Sequence, residues 1–168
     1  MQTNILEYLE RTAVRCPDKV AFANEETGLT FAQVYNQARS IGTRLNQEGY
    51  YGQPIVVFMR KHPTTLAAFF GAIYAGCYYV QLDDEMPRQR IELIFQTLGA
   101  GALICEETTE KLASELNYQG KVFRYDDLAG GEADNAVLAD IRDRQLDTDP
   151  IYIVFTSGST GLPNGVVA

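Results

Sequence analysis

Three hydroxyl side chains, Ser157, Ser159 and Thr160, stand among glycines at 158, 161 and 165 in the run Thr156-Ser157-Gly158-Ser159-Thr160-Gly161-Leu162-Pro163-Asn164-Gly165-Val166. Hydroxyls and closely approachable backbone N–H groups are donors to an anion, because glycine has no Cβ to hold a ligand off and readily takes φ > 0. The ligand that suits such a loop is the phosphate tail of a nucleotide. The run follows Ile151-Tyr152-Ile153-Val154-Phe155 directly, an apolar stretch with the pattern of a buried strand.

Other chemistries need patterns that this run lacks. A Walker-type phosphate loop requires G-x-x-x-x-G-K-[ST], but Pro163 stands five residues after Gly158 and no lysine follows Gly165. A nucleophile elbow requires G-x-S-x-G, yet Ser157 stands two residues before Ser159, and Phe155 two before Ser157. A Ser-His arrangement would have to use His62, the only histidine. A plain polar turn between two strands is the alternative that turn chemistry offers.

The elements that must position this loop alternate between helical and strand patterns. Asn4-x-x-Glu7 has the form of a capping box, opening a helix with Ile5, Leu6, Leu9 and Ala13 inward and ending before Pro17. Short strands are expected at Val20–Ala23 and Leu29–Phe31 around a Glu26-Thr27-Gly28 turn. A second capping box, Thr30-x-x-Gln33, opens a helix with Val34, Ala38, Ile41 and Leu45 on one face. Ile55–Phe58 is a continuous apolar strand of the kind covered on both sides. Helices are then predicted near 64–75, 87–98 and 109–116, and strands near 78–82, 102–105, 121–125 and 151–155. The acidic, glycine-containing stretch from Asp126 to Asp149 reads as a surface loop with a helical turn or two. This alternation predicts an α/β fold, a mainly parallel sheet with helices on both faces.

Strand, TSGSTG, proline and Gly-Val together resemble the signature loop of the adenylate-forming (AMP-binding) superfamily. That superfamily comprises acyl- and aryl-CoA synthetases, luciferases, nonribosomal peptide synthetase adenylation domains and D-alanine carrier-protein ligases. Gly28-Leu29-Thr30-Phe31-Ala32-Gln33-Val34 is similar to its early LTY-x-EL segment. Ala72–Asp83 is similar to its LKAGxAYVPLD segment, and Pro87-Arg88-Gln89-Arg90-Ile91 resembles the P-x-x-R-I of the amino-acid-activating branch. Two positions depart from the pattern: Gln81 replaces a proline at a strand end, and Asn164 replaces the lysine of the loop.

The resemblance implies that residues 1–168 are the N-terminal portion of the large domain of an ATP-dependent ligase. Such a ligase joins a carboxylic acid, here an amino acid by preference, to AMP with loss of pyrophosphate. It then passes the acyl group to a thiol, commonly a carrier-protein phosphopantetheine. Thr156, Ser157, Gly158, Ser159, Thr160, Gly161, Asn164 and Gly165 are the expected nucleotide-binding residues, with Mg²⁺ alongside the phosphates. No catalytic residue is assigned within the chain, because the acid pocket, the adenine and ribose contacts and the mobile C-terminal lysine of the family lie past Ala168. The chain alone is therefore expected to be inactive and to expose apolar surface, through which it can self-associate. A catalytically silent binding module, an acyl- or aryl-CoA synthetase relative and, more distantly, a hydrolase on the same layout are the competing readings.

Composition narrows the classes further. The chain has 168 residues, 46% of them hydrophobic, and a mean hydropathy of −0.16, which fits one soluble globular unit. Net charge is −8, from 14 basic and 22 acidic residues, which argues against a nucleic-acid surface. No stretch has the length of a membrane span or the layout of a signal peptide. Cys16, Cys77 and Cys105 are widely spaced, which fits reduced thiols of the cytoplasm rather than a metal site. Tyr78 and Tyr79 read as packing, Asp83-Asp84-Glu85 as a solvated turn, His62 as local structure at a helix entry, and Arg60 and Lys61 as surface charges.

Overall fold

The apolar run at residues 55–58 shows why the sheet must be covered twice. Ile55 and Val57 pack into one cluster, Val56 and Phe58 into another, and all four are buried. Successive side chains of a strand point to opposite faces, so a strand without polar positions needs a layer on each side. In the computed structural model, which describes residues 4–99, 101–116, 118–157 and 163–168, those layers are present.

The elements run α1 (Leu6–Arg15), β1 (Val20–Ala23), β2 (Gly28–Thr30), α2 (Phe31–Gln47), β3 (Pro54–Phe58), α3 (Pro63–Tyr74), β4 (Tyr78–Leu82), α4 (Arg88–Leu98), β5 (Ala102–Cys105), α5 (Glu107–Glu115), β6 (Lys121–Arg124), α6 (Tyr125–Ala129), α7 (Asn135–Arg144), β7 (Tyr152–Ser157) and β8 (Pro163–Val167). Strands β1 and β2 form a small antiparallel ribbon; the other six form one sheet in the order β6-β5-β3-β4-β7-β8. Its strands are parallel except β8, which pairs antiparallel with β7. Helices α1, α2, α3, α6 and α7 contribute to the cluster containing Ile55 and Val57, while α4 and α5 contribute to the one containing Val56 and Phe58. The predicted α/β architecture is the observed one.

The chain leaves β3 toward one face, through α3, and leaves β4 and β5 toward the other, through α4 and α5. Adjacent strands whose exits diverge open a crevice at their carboxyl ends, which is where open α/β sheets bind ligands. Strand β7 ends on that same edge, since Val80 lies opposite Ile153 in parallel register.

Local chemistry sets several boundaries. Thr30 and Gln33 form the predicted reciprocal capping box. At α1 the expected box takes a different form: Asn4 Oδ1 accepts from the Leu6 N–H at 2.9 Å, and Ile5 occupies the cap position and is exposed rather than inward. Tyr125 opens α6 instead of closing β6, and its ring is buried. The stretch from Asp126 to Asp149 is more ordered than a loop. The Asp134 carboxylate accepts from the Ala136 and Val137 N–H groups to start α7, whose Leu138 and Ile141 are buried.

Apolar surface is exposed along the β7–β8 edge. Val154 and Val166 face each other across the two strands and are 51% and 55% exposed. Among the described residues no helix is long and apolar enough to cross a membrane.

Candidate nucleotide-binding edge

The antiparallel turn-back of β8 brings the two described ends of the hydroxyl run, Thr156–Ser157 and Pro163–Gly165, side by side. Tyr152 and Ala168 exchange both backbone hydrogen bonds, at 3.2 and 3.1 Å. Hydrogen-bonded pairs alternate along an antiparallel ladder, so Val154–Val166 and Thr156–Asn164 are also of that type and Phe155–Gly165 is not. The rung between Thr156 and Asn164 therefore closes the root of the hairpin. Pro163, opposite Ser157 at a non-hydrogen-bonded position, directs its missing N–H away from β7, which is where an edge strand tolerates proline.

Gly165 has a packing reason of its own. A Cβ there would stand 3.0 Å from Ile153 Cγ2 and 3.3 Å from Phe155 Cε1, a tight fit that requires those side chains to give by a few tenths of an ångström. Of the sequence-predicted site residues, Thr156 and Ser157 close β7, and Asn164 and Gly165 belong to β8. Gly158, Ser159, Thr160 and Gly161 lie outside the described residues.

The same carboxyl edge carries paired charges. Arg60 Nε donates to Asp84 Oδ2 at 3.0 Å, and the Arg60 backbone N–H donates to Glu106 Oε1 at 3.0 Å. Lys61 Nζ lies 3.7 Å from Asp83 Oδ2. The Glu85 N–H, donating to Asp83 Oδ1, does most to hold the Asp83 carboxyl below its ordinary range, and Lys61 adds to it. The expected solvated turn and surface charges are thus joined as ion pairs linking the exits of β3 and β4, and the Glu106 carboxylate ties the exit of β5 to them through the Arg60 N–H. Arg60 and Lys61 remain mostly exposed, so each pair contributes about 0–1 kcal/mol.

His62 is local structure, as expected. Its Nδ1 accepts from the Thr64 N–H at 3.3 Å and caps α3, with Pro63 in the first turn. Lys61, His62, Phe22, Leu66, Phe69 and Gln81 line a cleft of about 460 Å³ between the β1–β2 ribbon and α3. The Tyr79 ring stacks on Phe69 at 4.1 Å, which makes it a packing residue.

One residue of the edge carried no site role in the sequence. Arg90 Nη2 donates to the Phe155 carbonyl at 3.0 Å, immediately before Thr156. Its place in P-x-x-R-I marked a branch of a family, and nothing in the spacing ties residue 90 to residue 155.

Comparison with known proteins agrees with this geometry. The family model described as AMP-binding enzyme matches residues 9–168. A D-alanine–D-alanyl carrier protein ligase of Listeria monocytogenes serotype 4b (strain F2365) is 33% identical over 172 residues, covering 99% of this chain and 33% of the ligase. Tyrocidine synthase 1 of Brevibacillus parabrevis is 28% identical over 165 residues, 98% of this chain and 15% of the synthase. Among solved structures, the nonribosomal peptide synthetase FmoA3 (S1046A) in its alpha-methyl-L-serine-AMP bound form superposes with a TM-score of 0.80 at 27% identity, over 96% of this chain and 17% of that one. The chain spans about a third of the length of the carrier protein ligase it matches. With the family model matching residues 9–168 and the relatives aligned over nearly the whole chain, the chain belongs to the AMP-binding enzyme family.

Proposed function

We propose that the protein carrying this chain activates a carboxylic acid, an amino acid by preference, as an acyl-adenylate and delivers it to a carrier-protein thiol. The observation that carries this reading is the position of the loop root. Thr156 and Ser157 end a parallel strand at the carboxyl edge, where the exits of β3, β4 and β5 diverge. The names of the carrier protein ligase and the peptide synthetases among the similar proteins support the amino-acid branch.

The donor set fits a polyphosphate. Thr156 and Ser157 are on the edge, and the Gly158–Gly161 segment of hydroxyls and glycines begins one residue later. In this reading Thr156 to Gly161, with Asn164 and Gly165 at the return strand, hold the β- and γ-phosphates of ATP while a substrate carboxylate oxygen attacks the α-phosphorus. Such chemistry depends on positioning and on stabilising charge as it moves to the leaving pyrophosphate. Mg²⁺ would share that charge. Among the described residues no group of three His, Cys, Asp or Glu side chains is arranged to hold an ion, so no residue of the chain is assigned to it.

The acid pocket and the carrier-protein surface are assigned to the remainder of the protein, because the chain covers 33% of the ligase. Cys16, Cys77 and Cys105 are free thiols, which supports the cytoplasm as the compartment. The exposed Val154–Val166 edge supports burial against further chain or a second copy.

Asn164 favours a second reading, a catalytically silent relative, because an amide cannot offer the charge-assisted bond of a lysine. Calorimetric titration of the full-length protein with ATP tests the site. Saturable binding weakened by Ser159→Ala supports it; binding that the substitution leaves unchanged contradicts it.

A further inference from the structure

We propose that Arg90 is a positioning residue for the nucleotide loop, its guanidinium standing in for a missing strand rung at Phe155. The ladder geometry points to this. Phe155 is a non-hydrogen-bonded partner of Gly165, so its N–H and C=O face β4 rather than β8. On that side, the Tyr79 N–H donates to the Ile151 carbonyl at 3.0 Å, and the pairing runs through Val80 opposite Ile153. Two residues further along a parallel ladder, the donor for the Phe155 carbonyl would be the N–H of residue 83, and β4 has already ended at Leu82. Arg90 fills the place, donating from Nη2 at 3.0 Å.

The arrangement is built rather than incidental. Arg90 is on the first turn of α4, and Ile91 and Ile94 of that helix are fully buried in the cluster that also receives Phe155. The helix is thus fixed to the sheet by apolar packing and cannot easily swing the guanidinium away. Arg90 Nε is buried with no hydrogen-bond partner among the described residues, so Nη2 to Phe155 is the bond through which the group acts. A planar guanidinium suits this place better than an ammonium, because its donors are held in fixed directions. The result is a clamp one residue before Thr156, fixing the end of β7 from which the hydroxyl segment continues.

The catalytic consequence rests on the adenylation reading above; the structural consequence does not. The test therefore has two arms in the full-length protein, with Arg90→Gln, Arg90→Lys and, as a control, Arg88→Gln, whose exposed side chain pairs with Glu115. In the first arm, amide hydrogen exchange of peptides covering 150–168 should accelerate about tenfold in Arg90→Gln, as loss of one charge-assisted bond implies, with partial rescue by lysine and no change in the control. In the second, the KM for ATP should rise while the KM for the acid stays constant. Acceleration spread evenly over all peptides, or exchange of 150–168 within twofold of wild type, overturns the proposal. If Arg90→Gln does not fold, Arg90→Lys decides by the same readouts. Absence of pyrophosphate exchange in the wild type would refute the adenylation reading and leave the first arm to judge the clamp.

Discussion

Thr109 Oγ1 donates a 2.6 Å hydrogen bond to the carbonyl oxygen of Phe58, joining the first turn of α5 to the carboxyl end of β3. Thr109 is fully buried, and the same oxygen accepts from the Glu106 N–H at 3.2 Å. A single hydroxyl therefore satisfies two backbone groups next to the diverging strand exits. Thr109→Val keeps the shape and removes both bonds, leaving a buried carbonyl without its partner. It should lower unfolding free energy by about 1–3 kcal/mol, measured by urea denaturation. Thr108→Val, one position away and exposed, should change it by about 0.5 kcal/mol or less.

Helices α2 and α3 touch through glycines, and a methyl group at this contact forces its neighbours to shift. A Cβ at Gly71 would lie 2.5 Å from Ile41 Cγ2 and 2.6 Å from Ile41 Cβ, and one at Gly42 would run into Tyr74. Alanine is the better helix former by about 1 kcal/mol, but overpacking of a closed interface costs about 1–3 kcal/mol. Gly71→Ala should therefore be neutral to destabilising by up to about 2 kcal/mol. The larger Gly71→Leu should abolish cooperative unfolding, followed by circular dichroism.

Two buried thiols give the stability an alkaline limit. Burial, the largest cause in each case, pushes the Cys77 and Cys105 thiols up from 9.0 to about 11. A folded pKa above the unfolded one means that the native state holds the proton more tightly. The contribution is therefore complete below pH 9 and is lost as pH rises toward 11. The urea midpoint should fall over that window, and Cys105→Ala should flatten the decline. In a thiol-reagent titration at neutral pH, the partly exposed Cys16 should react first and the two buried thiols only on unfolding.

The departure at Asn164 predicts a gain of function. Its backbone sits opposite Thr156 at the hairpin root, so a longer cationic side chain there starts beside the proposed phosphate site. Asn164→Lys in the full-length protein should tighten ATP binding about tenfold, the lower end of what a charge-assisted bond contributes when solvated. An unchanged dissociation constant would mean that another cation already supplies the charge.

Most of the sheet was legible because parallel strands covered on both faces read as unbroken apolar runs, as at Ile55–Phe58 and Ala102–Cys105. Tyr78–Leu82 is interrupted by the exposed Gln81 and reads as a strand from its aromatic and β-branched residues instead, and Thr30 with Gln33 fixed the start of α2 through local chemistry alone. Strand β8 was not legible. Pro163 and Gly165 disguise it, and its strand character comes from pairing with β7 rather than from its own residues. Helix α7 was hidden by the acidity of its exposed face, although Leu138 and Ile141 at helical spacing were the available signal. The ion pairs Arg60–Asp84 and Lys61–Asp83, with the bond from the Arg60 N–H to Glu106, join three strand exits far apart in sequence, and no local pattern encodes them. The hydroxyl loop was legible as chemistry, and the bond from Arg90 to Phe155 only as structure.

ATP–pyrophosphate exchange by the full-length protein, scanned across a panel of amino acids and of fatty and aryl acids, tests the central claim most directly. Exchange well above background with one amino acid or a narrow group of them, reduced by Ser159→Ala, is the predicted result. Exchange at background with every acid, in a protein that is folded and binds ATP no better than Ser159→Ala does, would contradict it.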